Sequence, residues 1–154
     1  MGLFDWLGFG HSVASAPSDL ERAIVLSVAS VLPQELADRL RVQVDALTHA
    51  MREGNHVTLE RRDGRTVLTP TETALTDYAG RQRLASVETL SLHGPSRLHA
   101  HVMMTNGNVS GIEFDHSPAD ADPTRITEFH PRLLGPPFKD PDLEAQQDWA
   151  RRPA

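Results

Sequence analysis

The stretch RLHAHVMMTNGNVSGIEFD, residues 97–115, decides the fold, because apolar residues alternate with polar ones on both sides of an Asn-Gly turn signal. A two-residue turn at Asn106-Gly107 would set Leu98, Ala100, Val102 and Met104 opposite the face that carries Ile112 and Phe114, so the apolar residues would be split between two sides. A three-residue loop of Thr105, Asn106 and Gly107, with Gly107 left-handed as a G1 bulge, pairs Ala100 with Ile112 and Leu98 with Phe114. One face is then apolar, and this is the register the pattern predicts. Arg97, His99, His101, Glu113 and Asp115 collect on the other face.

Upstream of this hairpin the chain is helical before it is extended. Ser18 and Glu21 form a capping box, after which Leu20, Ile24, Val28 and Val31 recur at helical spacing until Pro33. Pro33 suits the first turn of a second helix, whose stripe of Leu36, Leu40, Val44, Leu47 and Met51 runs to Gly54. Such stripes are core faces, since a surface helix must bury them. A hairpin follows, from His56 to Arg61, through Asp63-Gly64, and back along Arg65 to Thr69. Thr69, Pro70 and Glu72 then signal a short third helix carrying Ala74, Leu75, Tyr78 and Ala79 and ending at Gly80. Residues 81–93 fit a strand through Leu90 and Leu92 or the continuation of a helix.

The two ends differ from the middle. Phe4, Trp6 and Phe9 are three of eight aromatic residues, and a Ser/Ala-rich stretch from His11 to Pro17 follows them. This segment is either extra core folded back on the domain or a docking peptide for a partner or a second copy; a shallow membrane-surface contact is a weaker reading because no Lys or Arg accompanies it. Seven of the eleven prolines lie at or beyond Pro118, which predicts a strap or tail, with Ile126, Phe129, Leu133, Leu134 and Phe138 lying along the domain. Asp140 and Pro141 can start a short terminal helix. The expected organisation is an aromatic segment and linker over 1–17, an α+β domain over 18–116 and a proline-rich tail over 117–154.

Composition bounds the function. A chain of 154 residues makes one domain of ordinary size, stable without disulfides or a structural metal. The absence of cysteine removes thiolate metal sites, iron–sulfur clusters and cysteine nucleophiles together, and is compatible with a cytoplasmic home. A formal net charge of -6 opposes non-specific attraction to phosphate backbones, so nucleic acid is not an expected partner. No run approaches a membrane span, the start lacks the pattern of a signal peptide, and Trp6 stands where myristoylation of Gly2 wants Ser or Thr.

Chemistry is confined to the polar face of the late hairpin. His99 and His101, at i and i+2 on a strand, point the same way, and Glu113 can reach from the neighbouring strand, a geometry that suits a metal or acid/base work. The plainer reading is a solvated face with cross-strand charge pairs, and it outweighs the first. The His-x-His spacing after Gly94 partly matches the first cupin motif, but Thr105 and Asn106 stand where its glutamate belongs, and the strands are too few for that barrel. No nucleophile elbow, phosphate-binding loop, dinucleotide fingerprint or H-E-x-x-H is present. No cofactor is expected.

The order of elements, ending in the hairpin Gly107-Asn108-Val109-Ser110-Gly111-Ile112-Glu113-Phe114, resembles small uncharacterised bacterial α+β proteins, broadly of the cytosolic immunity or accessory type. The resemblance implies binding to another protein rather than catalysis and carries over no functional residue. The expectation is thus an α+β fold, an antiparallel sheet of four or five strands with two N-terminal helices on one face, working as a non-enzymatic protein-interaction module. The alternative is a small metal-dependent or acid/base enzyme using His99, His101 and Glu113.

Overall fold

The computed structural model describes residues 15–91, 97–118 and 123–134. The aromatic segment with Phe4, Trp6 and Phe9, and the end of the chain with Phe138 and Trp149, lie outside them.

Helix α1, Asp19–Ser27, starts on the capping box: the Ser18 hydroxyl accepts the Glu21 N–H at 3.1 Å, and the Glu21 carboxylate accepts the Ser18 N–H at 2.7 Å. A 3-10 turn, Val28–Val31, continues it until Pro33 forces the chain to turn. Helix α2, Gln34–Ala46, follows directly. Ile24, Val25, Val28, Leu36, Leu40 and Val44 are all buried, so the two apolar stripes do line the core.

Helix α2 stops eight residues short of the expected Gly54. Leu47 is already extended at ψ 129°, and His49–Glu53 form strand β1. The helical spacing of Val44, Leu47 and Met51 is misleading, because in β1 the buried residue is Ala50, while Met51 turns to the other side. Gly54, at φ +59° before Asn55, makes the turn into β2, His56–Glu60, as a glycine at the first central position of a type II′ turn would. The hairpin partner of β2 is therefore β1. The residues after it form only a two-residue ladder, β3 Arg62–Asp63 with β4 Thr66–Val67, turning at Gly64-Arg65 rather than at Asp63-Gly64.

The expected third helix does not form. Residues 68–80 run irregularly, with Ala74 and Leu75 buried and Tyr78 exposed. A short segment rich in threonine gains little as a helix. It gains more by laying Leu75 over the tip of the late hairpin, where the Leu75 N–H donates to the Gly107 carbonyl at 2.9 Å. Residues 81–91 resolve as a long strand, β5.

Strands β5, β6 (His99–Thr105) and β7 (Asn108–Phe114) form a meander. The tail supplies β8, Ile126–Leu133, which pairs with β5 instead of lying across a face. Pro131 in β8 is tolerated because β8 is an edge strand. The main sheet has six antiparallel strands in the order β1-β2-β7-β6-β5-β8, one or two more than expected. Helices α1 and α2 pack on one face, where Val57, Leu59, Leu84, Val87, Ala100, Val102, Met104, Val109, Ile112 and Phe114 join the helical residues in one core. The fold is α+β with an antiparallel sheet.

The register of β6 with β7 corrects the three-residue loop. Asn106 (φ 51°) and Gly107 (φ 77°) form a two-residue turn with both central residues left-handed, and Thr105 pairs with Asn108. The partner of Ala100 is Phe114, and that of Val102 is Ile112, two residues away from the expected pairing. The conflict between turn and hydrophobic pattern is real, and a β-bulge resolves it. Met104 pairs with Val109 and Met103 with Gly111, so Ser110 is the extra residue that shifts the side-chain alternation by one. Ala100, Val102, Ile112 and Phe114 all face the core as the alternation requires, while His99, His101 and Glu113 are half-buried on the opposite face.

Candidate functional site

Direct pairing places one residue from each strand in a row across the polar face: Glu53, His56, Glu113, His101, Ser86 and Arg132, from β1 to β8. Beside it runs a shorter row of Asp115, His99, Glu88 and His130. The Asp115 N–H donates to the His99 carbonyl at 2.9 Å, so the β6–β7 ladder extends one residue past Phe114 and sets Asp115 opposite His99. Glu88 pairs with both His99 and His130.

Within these rows three side chains form a hydrogen-bonded chain across three strands. His99 Nδ1 lies 2.5 Å from an Asp115 carboxylate oxygen, and His99 Nε2 lies 2.6 Å from the Ser86 hydroxyl. The hydrogen bond from His99 holds the Asp115 carboxyl below its usual range, so it is ionised near neutral pH and can only accept. Nδ1 must then carry the proton. With the ring neutral, Nε2 is the acceptor and the Ser86 hydroxyl donates to it.

The other expected residues fall around this chain in different ways. His101 lies beside His99, with ring centroids 4.9 Å apart and the rings tilted by 57°. Burial, with the charges of Arg83 and His99, pushes its pKa down, against the pull of Asp115 and Glu113, so the neutral imidazole is favoured. Glu113 turns to Arg81 at 2.7 Å, with His56 at 3.8 Å. Arg97 precedes β6, exposed and with no ion pair among the described residues. His99, His101 and Glu113 share a face but do not converge as a ligand set, since both nitrogens of His99 are engaged and Glu113 is held by Arg81. Among the described residues no group of three His, Cys, Asp or Glu is arranged to hold a metal ion.

Ser86 was not visible as a functional residue in the sequence, where it is one hydroxyl among many with no motif around it. Its alternation with buried Ala85 and Val87 would have put it on the polar face only once residues 81–91 were known to be a strand. A separate cleft of about 200 Å³ opens at the other end of β6 and β7, lined by Thr58, Val67, Thr73, Thr105 and Ser110 among others, and it does not touch this chain.

Neither a family model, nor a curated protein, nor a solved structure matches this chain. Among the described residues no helix is long and apolar enough to cross a membrane.

Proposed function

We propose that the protein acts by binding another protein through the polar face of its sheet, in the manner of a cytosolic accessory or immunity-like module. The observation that carries this reading is the asymmetry of the sheet. Both helices pack on one face, and the other holds a row of ionisable side chains in fixed register on a rigid scaffold. Rigid, patterned charge supplies specificity and steers encounter more than it supplies raw affinity. Arg83 on β5 and Arg132 on β8 have no ion-pair partner among the described residues. They suit a partner that brings carboxylates to this side of the sheet. The lack of cysteine is in keeping with a reducing compartment.

The test compares the tagged wild-type chain with a double charge reversal, Arg83→Glu with Arg132→Glu, and with a chain lacking residues 1–12, each expressed in the native cell. The double reversal should keep its melting temperature and lose a specific captured protein at moderate salt. Recovery of the same proteins by the wild type and the double reversal would refute the reading. Loss confined to the deletion would move the binding surface to the aromatic segment.

A further inference from the structure

We propose that Ser86, His99 and Asp115 form a nucleophilic relay that hydrolyses carboxylic esters. The proposal stands on geometry and is independent of the binding role. Each of the three residues comes from a different stretch of chain: Ser86 from β5, His99 from the start of β6, and Asp115 from the residue after β7. The pairing of Asp115 with His99, and of Ser86 with the neighbouring His101, fixes their spacing through the backbone ladder.

The order of contacts is the one a hydroxyl nucleophile needs. A serine hydroxyl is a weak nucleophile by itself, and a base within hydrogen-bond reach must take its proton as it attacks. His99 Nε2 is 2.6 Å from the Ser86 oxygen, and Asp115 at 2.5 Å holds the imidazole in the tautomer that leaves Nε2 free to accept. The carboxylate also stabilises the imidazolium that forms. Arg132 stands directly opposite Ser86 on β8, the nearest register position for a cation to face the oxyanion that develops at the attacked carbonyl.

The reaction balances with water alone. The Ser86 oxygen bonds to the acyl carbon while its proton passes to His99 Nε2. The bond from the acyl carbon to the alcohol oxygen then breaks, and that oxygen takes the proton from His99, leaving an acyl-serine. Water adds to the same carbon through His99, the acid leaves, and Ser86 regains its proton. The face is open to solvent, so the relay takes an ester presented at an exposed position, such as a small activated ester or one at the end of a longer group.

The full chain should be treated with a fluorophosphonate probe and analysed by intact mass and peptide mapping. One adduct on Ser86 is expected, absent in Ser86→Ala and reduced at least tenfold in Asp115→Asn. Ser110→Ala, on the same sheet outside the relay, should be labelled as the wild type is. Hydrolysis of p-nitrophenyl acetate should follow the same order. Absence of an adduct, or an adduct elsewhere, overturns the proposal.

A second measurement separates the relay from a fold defect. In Ser86→Cys the new thiol is the chain's only one. Its alkylation by iodoacetamide at pH 6 should be at least tenfold faster than in the same variant with His99→Gln, because the imidazole draws off the thiol proton. Equal rates in two folded variants would show that His99 does not activate position 86.

Discussion

Gln43 shows how one side chain can hold together features that lie far apart in sequence. It is a buried polar residue on a helix otherwise judged by its apolar stripe. Its amide nitrogen donates to the Thr73 carbonyl at 2.5 Å and the Gly107 carbonyl at 3.0 Å, and its oxygen accepts the Val109 N–H at 2.8 Å. Val109 adjoins the bulge at Ser110, where the regular ladder is interrupted, so Gln43 supplies the partner that its N–H needs. Replacing Gln43 with Leu should destabilise the protein by about 1 to 3 kcal/mol in urea unfolding, since it strands buried backbone groups. A loss below about 0.5 kcal/mol would mean that water replaces the amide. His101 makes a prediction of opposite origin. Its lowered pKa means that the unfolded chain binds this proton more readily than the folded one. The stability tied to the neutral ring is therefore complete above the unfolded value of about 6.5 and is lost as pH falls through the lower folded value. The urea midpoint should drop between pH 7 and 5, and drop less in His101→Asn. Burial of the ring, with the charges of Arg83 and His99, sets this direction, while Asp115 and Glu113 oppose it, so an equal drop in both proteins would show that the opposing charges cancel it.

At the scale of elements, the β6–β7 hairpin shows why the faces were legible and the pairing was not. The alternation of Ala100, Val102, Ile112 and Phe114 requires a particular parity between the strands, and two registers two residues apart share it. The choice between them depends on where the chain inserts Ser110, and no local residue type announces a bulge. The Asn-Gly pair signalled the two-residue turn it forms, and it was the hydrophobic pattern that argued against it. Helix α1 was legible because its capping box is local. Strand β1 was hidden because Leu47 and Met51 extend the spacing of α2, and only the ladder to β2 decides against the helix. Ser86 was hidden for the same reason, since its neighbours His99 and Asp115 are set by long-range register. Deleting Ser110 tests the bulge directly. With the two-residue turn kept and the ladder closed, Met103 still pairs with Gly111, Val102 with Ile112 and Ala100 with Phe114, so both large side chains stay on the core face in a regular hairpin. The deletion variant should therefore unfold cooperatively and lose no more than an ordinary substitution does, about 0.5 to 3 kcal/mol in urea unfolding. Loss of cooperative unfolding would show that Ser110 does more than correct the alternation.

The whole molecule is two layers, and what joins them at one end is a buried charge. Glu21 on α1 is nearly buried, and its carboxylate both caps the helix through the Ser18 N–H and accepts Arg52 from the edge strand β1, at 2.5 and 2.7 Å. Arg52 reaches further, to the Ser15 hydroxyl at 2.7 Å and the Ala16 carbonyl at 3.3 Å, while Ser15 itself bridges to Ala50 on the outer side of β1. One guanidinium thus fastens the first helix, the segment before it and the sheet edge. A buried ion pair is weak evidence of net stabilisation, because desolvation offsets much of the attraction, but removing one partner leaves a buried charge uncompensated. Arg52→Met should therefore cost about 1 to 3 kcal/mol, less than the break of a fully buried pair, because the Arg52 side chain is 37% exposed and Glu21 keeps the Ser18 hydrogen bond. Glu21→Gln should cost less, since the neutral amide can keep one contact. The double variant Glu21→Gln with Arg52→Met should be clearly more stable than the sum of the two predicts, because the penalty of Arg52→Met lies in the charge it strands. Additive losses would mean that Arg52 acts by packing and by its hold on residues 15 and 16 rather than through Glu21. In that case the layers would be joined at this end by the apolar core alone.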